Sequence, residues 1–209
     1  MGNVLLWGGV VGGPLFVIIF LIEGFLRRGY HPLRQPVSAL SIGPRGWVQQ
    51  ANFFINGTLV FLSAFGLSSA FEAYGGSWWA PVLIGIYGAS TVGAGLFKTD
   101  VHGLHKPHSA PSKRTRAALI HDLFSSCVFI SLFVACFVVA HLFFAAGEEG
   151  WYLYSATTGI LYGAGFLVFA RGFARASKFA PIAGLLQRAT ISLGVIWLSL
   201  VALHLLGLL

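Results

Sequence analysis

The residues of this chain that could carry out chemistry are few, and they lie near the ends of long apolar segments. An imidazole can act as a general base near neutral pH, and a carboxylate beside it can orient the ring or hold a metal ion. His121 is therefore the candidate base, with Asp100 or Asp122 as its carboxylate. Arg188 would bind an anionic head group, and Asn52 would bind a polar oxygen of a substrate.

Three further histidines follow Asp100 in the third predicted loop, where imidazole and carboxylate groups together could bind zinc. They are His102, His105 and His108. A glycine and a proline interrupt this run, so its spacing does not define one face of a helix, and no cysteine accompanies it. We therefore favour a solvated basic loop and predict no metal site.

A second pair of histidines, His141 and His204, occurs at similar depth in the fourth and sixth apolar segments. Two histidines on two helices could ligate a haem, although hydrogen bonding between helices is the more frequent role. The sequence contains no phosphate loop, dinucleotide fingerprint or nucleophile motif. The cofactor, if the protein uses one, is therefore unknown from the sequence.

The elements that must position these residues are six apolar segments, at residues 2–26, 47–71, 78–97, 117–144, 151–170 and 185–209. A helix rises about 1.5 Å per residue, so each segment can cross a hydrocarbon core of roughly 30 Å. The composition agrees, with 56% hydrophobic and 9% charged residues. We predict an all-α integral membrane protein, with residues 1–209 forming a single domain of six transmembrane helices.

The charges are distributed unequally between the predicted loops. All thirteen lysines and arginines fall on the first, third and fifth loops or at their edges. The charged residues of the second and fourth loops are all acidic: Glu72, Glu148 and Glu149. By the positive-inside rule the basic loops are cytoplasmic and both termini are extracytoplasmic, in a protein of the plasma membrane. The net charge of +7 then reflects membrane orientation. We expect membrane lipids as partners and no nucleic acid.

Polar residues of five of the six segments meet at the predicted cytoplasmic level. They are Glu23, Gln49, Asn52, Asn56, Asp100, His121, Asp122, Gln187 and Arg188. Charged groups within the membrane are costly, so this convergence predicts a ligand or catalytic pocket. The spacing of Gln49, Asn52 and Asn56 also places them on one stripe of a helix, which is typical of a face that lines an interior.

Interfacial anchoring could explain some of the same residues. Asp122 suits the positive end of a helix dipole, and Arg188 could extend its guanidinium group to the lipid head groups. Glu23 is four residues from Arg27, a favourable spacing for a helical ion pair. Both the pocket and the anchoring interpretation remain open at this point.

Short motifs at this level resemble a known family. They are Tyr30-His31-Pro32, Pro36-Val37-Ser38-Ala39-Leu40-Ser41, Gln49-Gln50-Ala51-Asn52-Phe53, Gly95-Leu96-Phe97-Lys98-Thr99-Asp100, Ile120-His121-Asp122 and Gly184-Leu185-Leu186-Gln187-Arg188, with Trp197. They resemble a prokaryotic six-span membrane family catalogued as domain of unknown function nine-nine-eight, over nearly the whole chain. The resemblance implies six spans and the motif positions Ser38, Asn52, Asp100, His121 and Arg188. The family pattern has prolines where this chain has Lys98 and Val101, and the family implies no activity.

Three functions are compatible with these features. The first is an enzyme acting on a lipid or isoprenoid-like substrate at the inner leaflet, in a pocket that takes a hydrophobic or amphiphilic small molecule. The second is a carrier of protons or small solutes that uses Glu23 and His121 as protonatable sites. The third is a structural or partner-binding subunit. For the first, the catalytic candidates are His121, Asp100 and Asp122, and the ligand-binding candidates are Glu23, Ser38, Asn52, Asn56 and Arg188.

Overall fold

The computed structural model describes residues 2–100, 114–174 and 177–209, and the described part of the chain forms six long helices without strands. They are α1 (Gly2–Leu26), α2 (Gly46–Ala70), α3 (Trp79–Leu96), α4 (Arg116–Ala145), α5 (Glu149–Gly172) and α6 (Ala183–Leu205). All six are long and apolar enough to cross a membrane. The prediction of an all-α, multi-pass membrane protein is confirmed, with helix boundaries within four residues of the predicted ones.

The connections alternate between long and short. The α2–α3 and α4–α5 connections are tight: the first includes a 3₁₀ helix at Phe71–Tyr74, and Gly75 and Gly147 adopt positive φ angles of 82° and 78°. The α1–α2 connection is longer and contains the 3₁₀ helix Val37–Ser41, and Ala180–Ile182 forms another before α6. We call the end of the bundle where α1, α3 and α5 finish the basic end, and the opposite end the acidic end.

Each helix contacts the next one along the chain, and α6 contacts α1, so the six helices close into a ring. Glycines let some neighbours approach closely. A Cβ atom added to Gly57 of α2 would lie 2.6 Å from the carbonyl oxygen of Gly88 of α3, too close for any side chain. Because lipid competes equally well for apolar surface, this close backbone packing is one of the forces that hold transmembrane helices together.

The interior of the ring is filled mainly by aromatic and aliphatic side chains. Trp197 of α6 is completely buried, and its indole N–H donates to the Ser155 hydroxyl of α5 over 3.0 Å. Many large apolar side chains point outward instead, for example Phe25 at 89% exposure and Ile160 at 62%. This distribution is expected when the outer surface faces lipid. Because polar side chains are costly in contact with lipid, those of the helices face the centre of the bundle.

Candidate functional site

The inner faces of all six helices surround a cavity of about 60 Å³, which lies in the half of the bundle nearer the basic end. We call it the central cavity. Its polar lining comes from Ser38, Tyr87, Thr91, Ser125, Tyr162 and Gln187, and aromatic rings line much of the rest. One water molecule needs about 10–15 Å³ of such space, so the cavity suits a few waters or one small polar group.

His121 adjoins this cavity at its basic end. The imidazole is buried, and its Nδ1 lies 2.8 Å from the carbonyl oxygen of Ala94 and 2.9 Å from that of Phe97. The imidazole ring also packs edge-on against Phe53, and Ser125 is one helical turn further along α4. Ala94, Phe53 and Ser125 all line the central cavity.

The contacts of Nδ1 determine which tautomer a neutral His121 adopts. Carbonyl oxygens only accept hydrogen bonds, so Nδ1 must carry the hydrogen and Nε2 must carry the lone pair. The same bonds satisfy carbonyl groups at the C-terminal end of α3, which have no partner within their own helix. His121 therefore caps α3, and in the neutral ring its lone pair lies on Nε2, the nitrogen that these carbonyl groups leave free.

The two candidate carboxylates are engaged elsewhere. Asp100 accepts hydrogen bonds from the backbone N–H of Thr115 over 2.8 Å and from its hydroxyl over 2.7 Å, and Thr115 in turn caps α4 by accepting from the N–H of Ala118. Asp122 is 42% exposed and forms an ion pair with Arg114. Asp100 thus fixes the start of α4, and Asp122 faces away from the cavity.

Glu23 is buried at the basic end of α1 and binds two arginines. One carboxylate oxygen accepts from Arg27, and the other accepts from Arg45 over 2.7 Å. Arg27 also donates to the carbonyl oxygen of Ile42 over 2.6 Å. The predicted Glu23–Arg27 pair therefore forms, and Arg45 extends it into a network that holds the α1–α2 connection against α1.

Arg188 is buried and organises the same connection from α6. Its Nη1 donates to the carbonyl oxygens of Pro32 at 2.7 Å, Gln35 at 2.9 Å and Gly184 at 2.9 Å. Its Nη2 donates to the hydroxyl of Tyr30. These contacts are internal, so in this structure Arg188 holds the connection in place and does not extend to the membrane surface.

The remaining predicted residues are divided between the cavity and the helix interfaces. Ser38 lines the cavity. Asn52 donates over 3.0 Å to the carbonyl oxygen of Phe16, so it joins α2 to α1. Asn56 is buried, and its amide forms no well-placed hydrogen bond with the described residues. Of the candidates, only Ser38 lines the cavity. His121 lies behind the lining, in contact with Ala94 and Phe53. Glu23, Arg188 and Asp122 lie in separate networks.

Several cavity residues were not singled out from the sequence. Tyr87 and Thr91 occupy successive turns of α3, and the Thr91 hydroxyl donates to the Tyr87 carbonyl over 2.8 Å. Gln187, by contrast, was among the polar residues predicted at this level, and it accepts from the backbone N–H of Val37 over 2.9 Å, which joins α6 to the 3₁₀ helix. The four-residue spacing between His121 and Ser125, and between Tyr87 and Thr91, was the available signal for a shared polar face.

The two membrane histidines considered for haem are far from equivalent in their surroundings. His204 donates from Nε2 to Glu148 over 2.6 Å and stacks on Trp151, and Tyr74 donates to the other Glu148 oxygen over 2.9 Å. His141 is exposed on the outer side of α4. Within residues 2–100, 114–174 and 177–209 there is no cluster of three potential metal ligands. His102, His105 and His108 lie outside the described residues.

Comparison with known proteins places the chain in a family. No curated protein and no solved structure matches it. The family described as "Protein of unknown function (DUF998)" matches residues 10–204. That range covers nearly all of the six helices, including the cavity and both arginine networks. The chain therefore belongs to the DUF998 family of membrane proteins.

Proposed function

We propose that the protein is a membrane-embedded enzyme that binds the polar end of a lipid-like or isoprenoid-like amphiphile in the central cavity. The observation that carries this proposal is the position of His121, whose tautomer is set by two backbone carbonyls beside a cavity lined with hydroxyl groups. A small polar group fits the cavity volume, and the aromatic walls suit the first carbons of an apolar tail.

The chemistry would centre on a hydroxyl or another weakly acidic group of the substrate. The Nε2 lone pair of His121 would remove its proton, and the backbone carbonyls at Nδ1 would stabilise the imidazolium that forms. Ser125, Thr91 and Gln187 would orient the polar group by hydrogen bonding. This assigns His121 the role of base but gives Asp100 only the indirect role of positioning α4 through Thr115.

The carrier hypothesis is less well supported because of Glu23. Both carboxylate oxygens already accept from guanidinium groups, so using Glu23 as a transport site would break an ion pair with Arg27 and another with Arg45. The structural hypothesis predicts that His121 only caps α3. Distinguishing it from the enzyme hypothesis requires a variant that keeps the cap and removes the basic nitrogen.

His121→Asn provides this separation, because the asparagine Nδ2 can occupy the place of the histidine Nδ1 and donate to the same carbonyls. Amphiphiles that co-purify with the detergent-solubilised protein would be identified by mass spectrometry for wild type, for His121→Asn and for the control Asp122→Asn, a partly exposed position that does not line the cavity. For an enzyme, we expect His121→Asn to fold normally and to carry unconverted substrate, whereas wild type and the control carry substrate and product. Identical bound molecules in all three folded proteins would contradict the proposed catalysis.

A further inference from the structure

We infer that a second site, an arginine-lined cleft at the basic end, binds the phosphate group of an anionic membrane lipid. The cleft has a volume of about 550 Å³ and lies between the end of α1 and the α1–α2 connection. Arg27, Arg28 and Arg45 line it, together with Tyr30 and Gln35. None of these residues lines the central cavity, so this inference does not depend on the proposed function.

The cleft carries more positive charge than its own carboxylate can neutralise. Glu23 forms ion pairs with Arg27 and Arg45. It supplies one negative charge against the three positive charges of the arginines that line the cleft. Arg28 is exposed and forms no ion pair with the described residues. An anion bound here would balance the excess charge, and guanidinium groups are well suited to phosphate because they donate several hydrogen bonds in one plane.

The guanidinium groups retain donors for such a ligand. Arg45 uses Nη2 for Glu23, while its Nε and Nη1 make no hydrogen bond to the described residues, and its side chain is 55% exposed. Arg27 is held in place by Glu23 and by the Ile42 carbonyl, so its position is fixed before a ligand arrives. One rigid and two accessible guanidinium groups therefore surround the same space.

The surroundings favour a lipid as the source of the phosphate. Phe25 is 89% exposed and Leu26 is 56% exposed, and Leu26 also lines the cleft. These side chains lie at the last turn of a transmembrane helix, where acyl chains meet head groups. A lipid phosphate in the cleft would thus place its acyl chains against this apolar turn of α1.

Native mass spectrometry of the detergent-solubilised protein can test the site. The protein would be titrated with phosphatidylglycerol and with phosphatidylcholine of the same acyl chains. We expect one preferred phosphatidylglycerol adduct, and Arg28→Gln should weaken it roughly fivefold, since one arginine near a membrane surface contributes about that factor. Arg34→Gln is the matched control, because Arg34 is exposed on the same connection but does not line the cleft.

Arg28 makes no contact that the fold requires, so Arg28→Gln is expected to fold. Arg45→Gln removes a second positive charge from the cleft and tests the same site independently. Equal binding of the two lipids, or equal weakening by Arg28→Gln and Arg34→Gln, would overturn the inference. A further arm adds glycerol 3-phosphate in millimolar excess. Retention of the phosphatidylglycerol adduct supports a lipid ligand, whereas its displacement would identify a water-soluble phosphate ester as the ligand and overturn the lipid assignment.

Discussion

Tyr30 carries the hydroxyl group that connects Arg188 to the α1–α2 connection. This hydroxyl accepts from the Arg188 guanidinium and donates to the carbonyl oxygen of Pro36 over 2.9 Å. Burial raises the pKa of Tyr30 above its usual value of 10.0, although the neighbouring Arg188 charge acts in the opposite direction. The folded protein therefore favours the protonated hydroxyl that this bridge requires.

The pH dependence of the Tyr30 contribution follows from the raised pKa. The stabilising contribution of Tyr30 is complete below pH 10.0, the unfolded value, and is lost as pH rises through the higher folded pKa. Near pH 8 we expect Tyr30→Phe to lower the free energy of unfolding by about 1.5–3 kcal/mol, the usual contribution of a hydrogen bond to a charged group. Above pH 10.0 the difference from wild type should shrink.

Unfolding midpoints in a titration with denaturing detergent, measured at several pH values, would check this prediction. Wild type and Tyr30→Phe share every other tyrosine, so the titration of those residues cancels in the comparison. If the stability difference between the two proteins stays constant or grows above pH 10.0, the fold does not raise the pKa of Tyr30.

At the scale of elements, the contact between α2 and α3 depends on the absence of side chains. A Cβ atom at position 57 would lie 2.6 Å from the Gly88 carbonyl oxygen and 2.7 Å from the backbone nitrogen of Val92. Both of those atoms belong to a rigid helical backbone, so the helices themselves would have to separate. The same helix pair contains Gly85, where an added Cβ would make only ordinary van der Waals contacts, with the Cβ of Ala64 at 3.7 Å and the ring of Phe61 at 4.0 Å.

We therefore predict opposite outcomes for two alanine substitutions in this helix pair. Gly57→Ala should destabilise the protein by about 1–3 kcal/mol, as overpacking of a close interface does. Gly85→Ala should be neutral or slightly stabilising, because alanine has the higher helix propensity and meets no obstacle. Detergent-induced unfolding of both variants would measure the difference. Equal stability of the two variants would mean that α2 and α3 are not held at the described distance.

The elements show which features a sequence can predict. Apolar length alone located all six helices, because a membrane span must be long and uncharged. The networks of Glu23 and Arg188 were harder to predict. Their partners include backbone carbonyls of the α1–α2 connection, such as those of Pro32 and Ile42, and no residue type marks a carbonyl that lies within reach of a guanidinium group.

The candidate site was predictable only in part for a related reason. The sequence predicts one shared level for the polar residues near the basic end, but depth along a helix does not determine the direction of a side chain around it. Asp122 directly follows His121, so the two point about 100° apart, and only His121 turns inward. The hydroxyl groups of Ser125 and Thr91 became significant only once the ring of helices placed them together.

At the scale of the whole molecule, the ring places the proposed catalytic cavity and the arginine cleft in the same half. The central cavity lies nearer the basic end, and the cleft lies at that end. If the basic end is cytoplasmic, as the charge distribution predicts, the proposed amphiphile and the anionic lipid would both be drawn from the inner leaflet. The membrane orientation therefore decides which lipid pool the protein meets.

Single-cysteine labelling tests that orientation. Cys127 and Cys136 would be replaced by serine and alanine, since the structure describes both as free thiols and the second as buried. Arg34→Cys then reports the basic end, and Leu209→Cys reports the acidic end, where the side chain is 61% exposed. An impermeant maleimide should label Leu209→Cys in intact cells and label Arg34→Cys only after the membrane is permeabilised. This expectation rests on the thirteen basic residues, all of which fall on the first, third and fifth connections or at their edges. Labelling of Arg34→Cys in intact cells, with Leu209→Cys protected, would reverse the orientation and place both proposed sites at the outer leaflet.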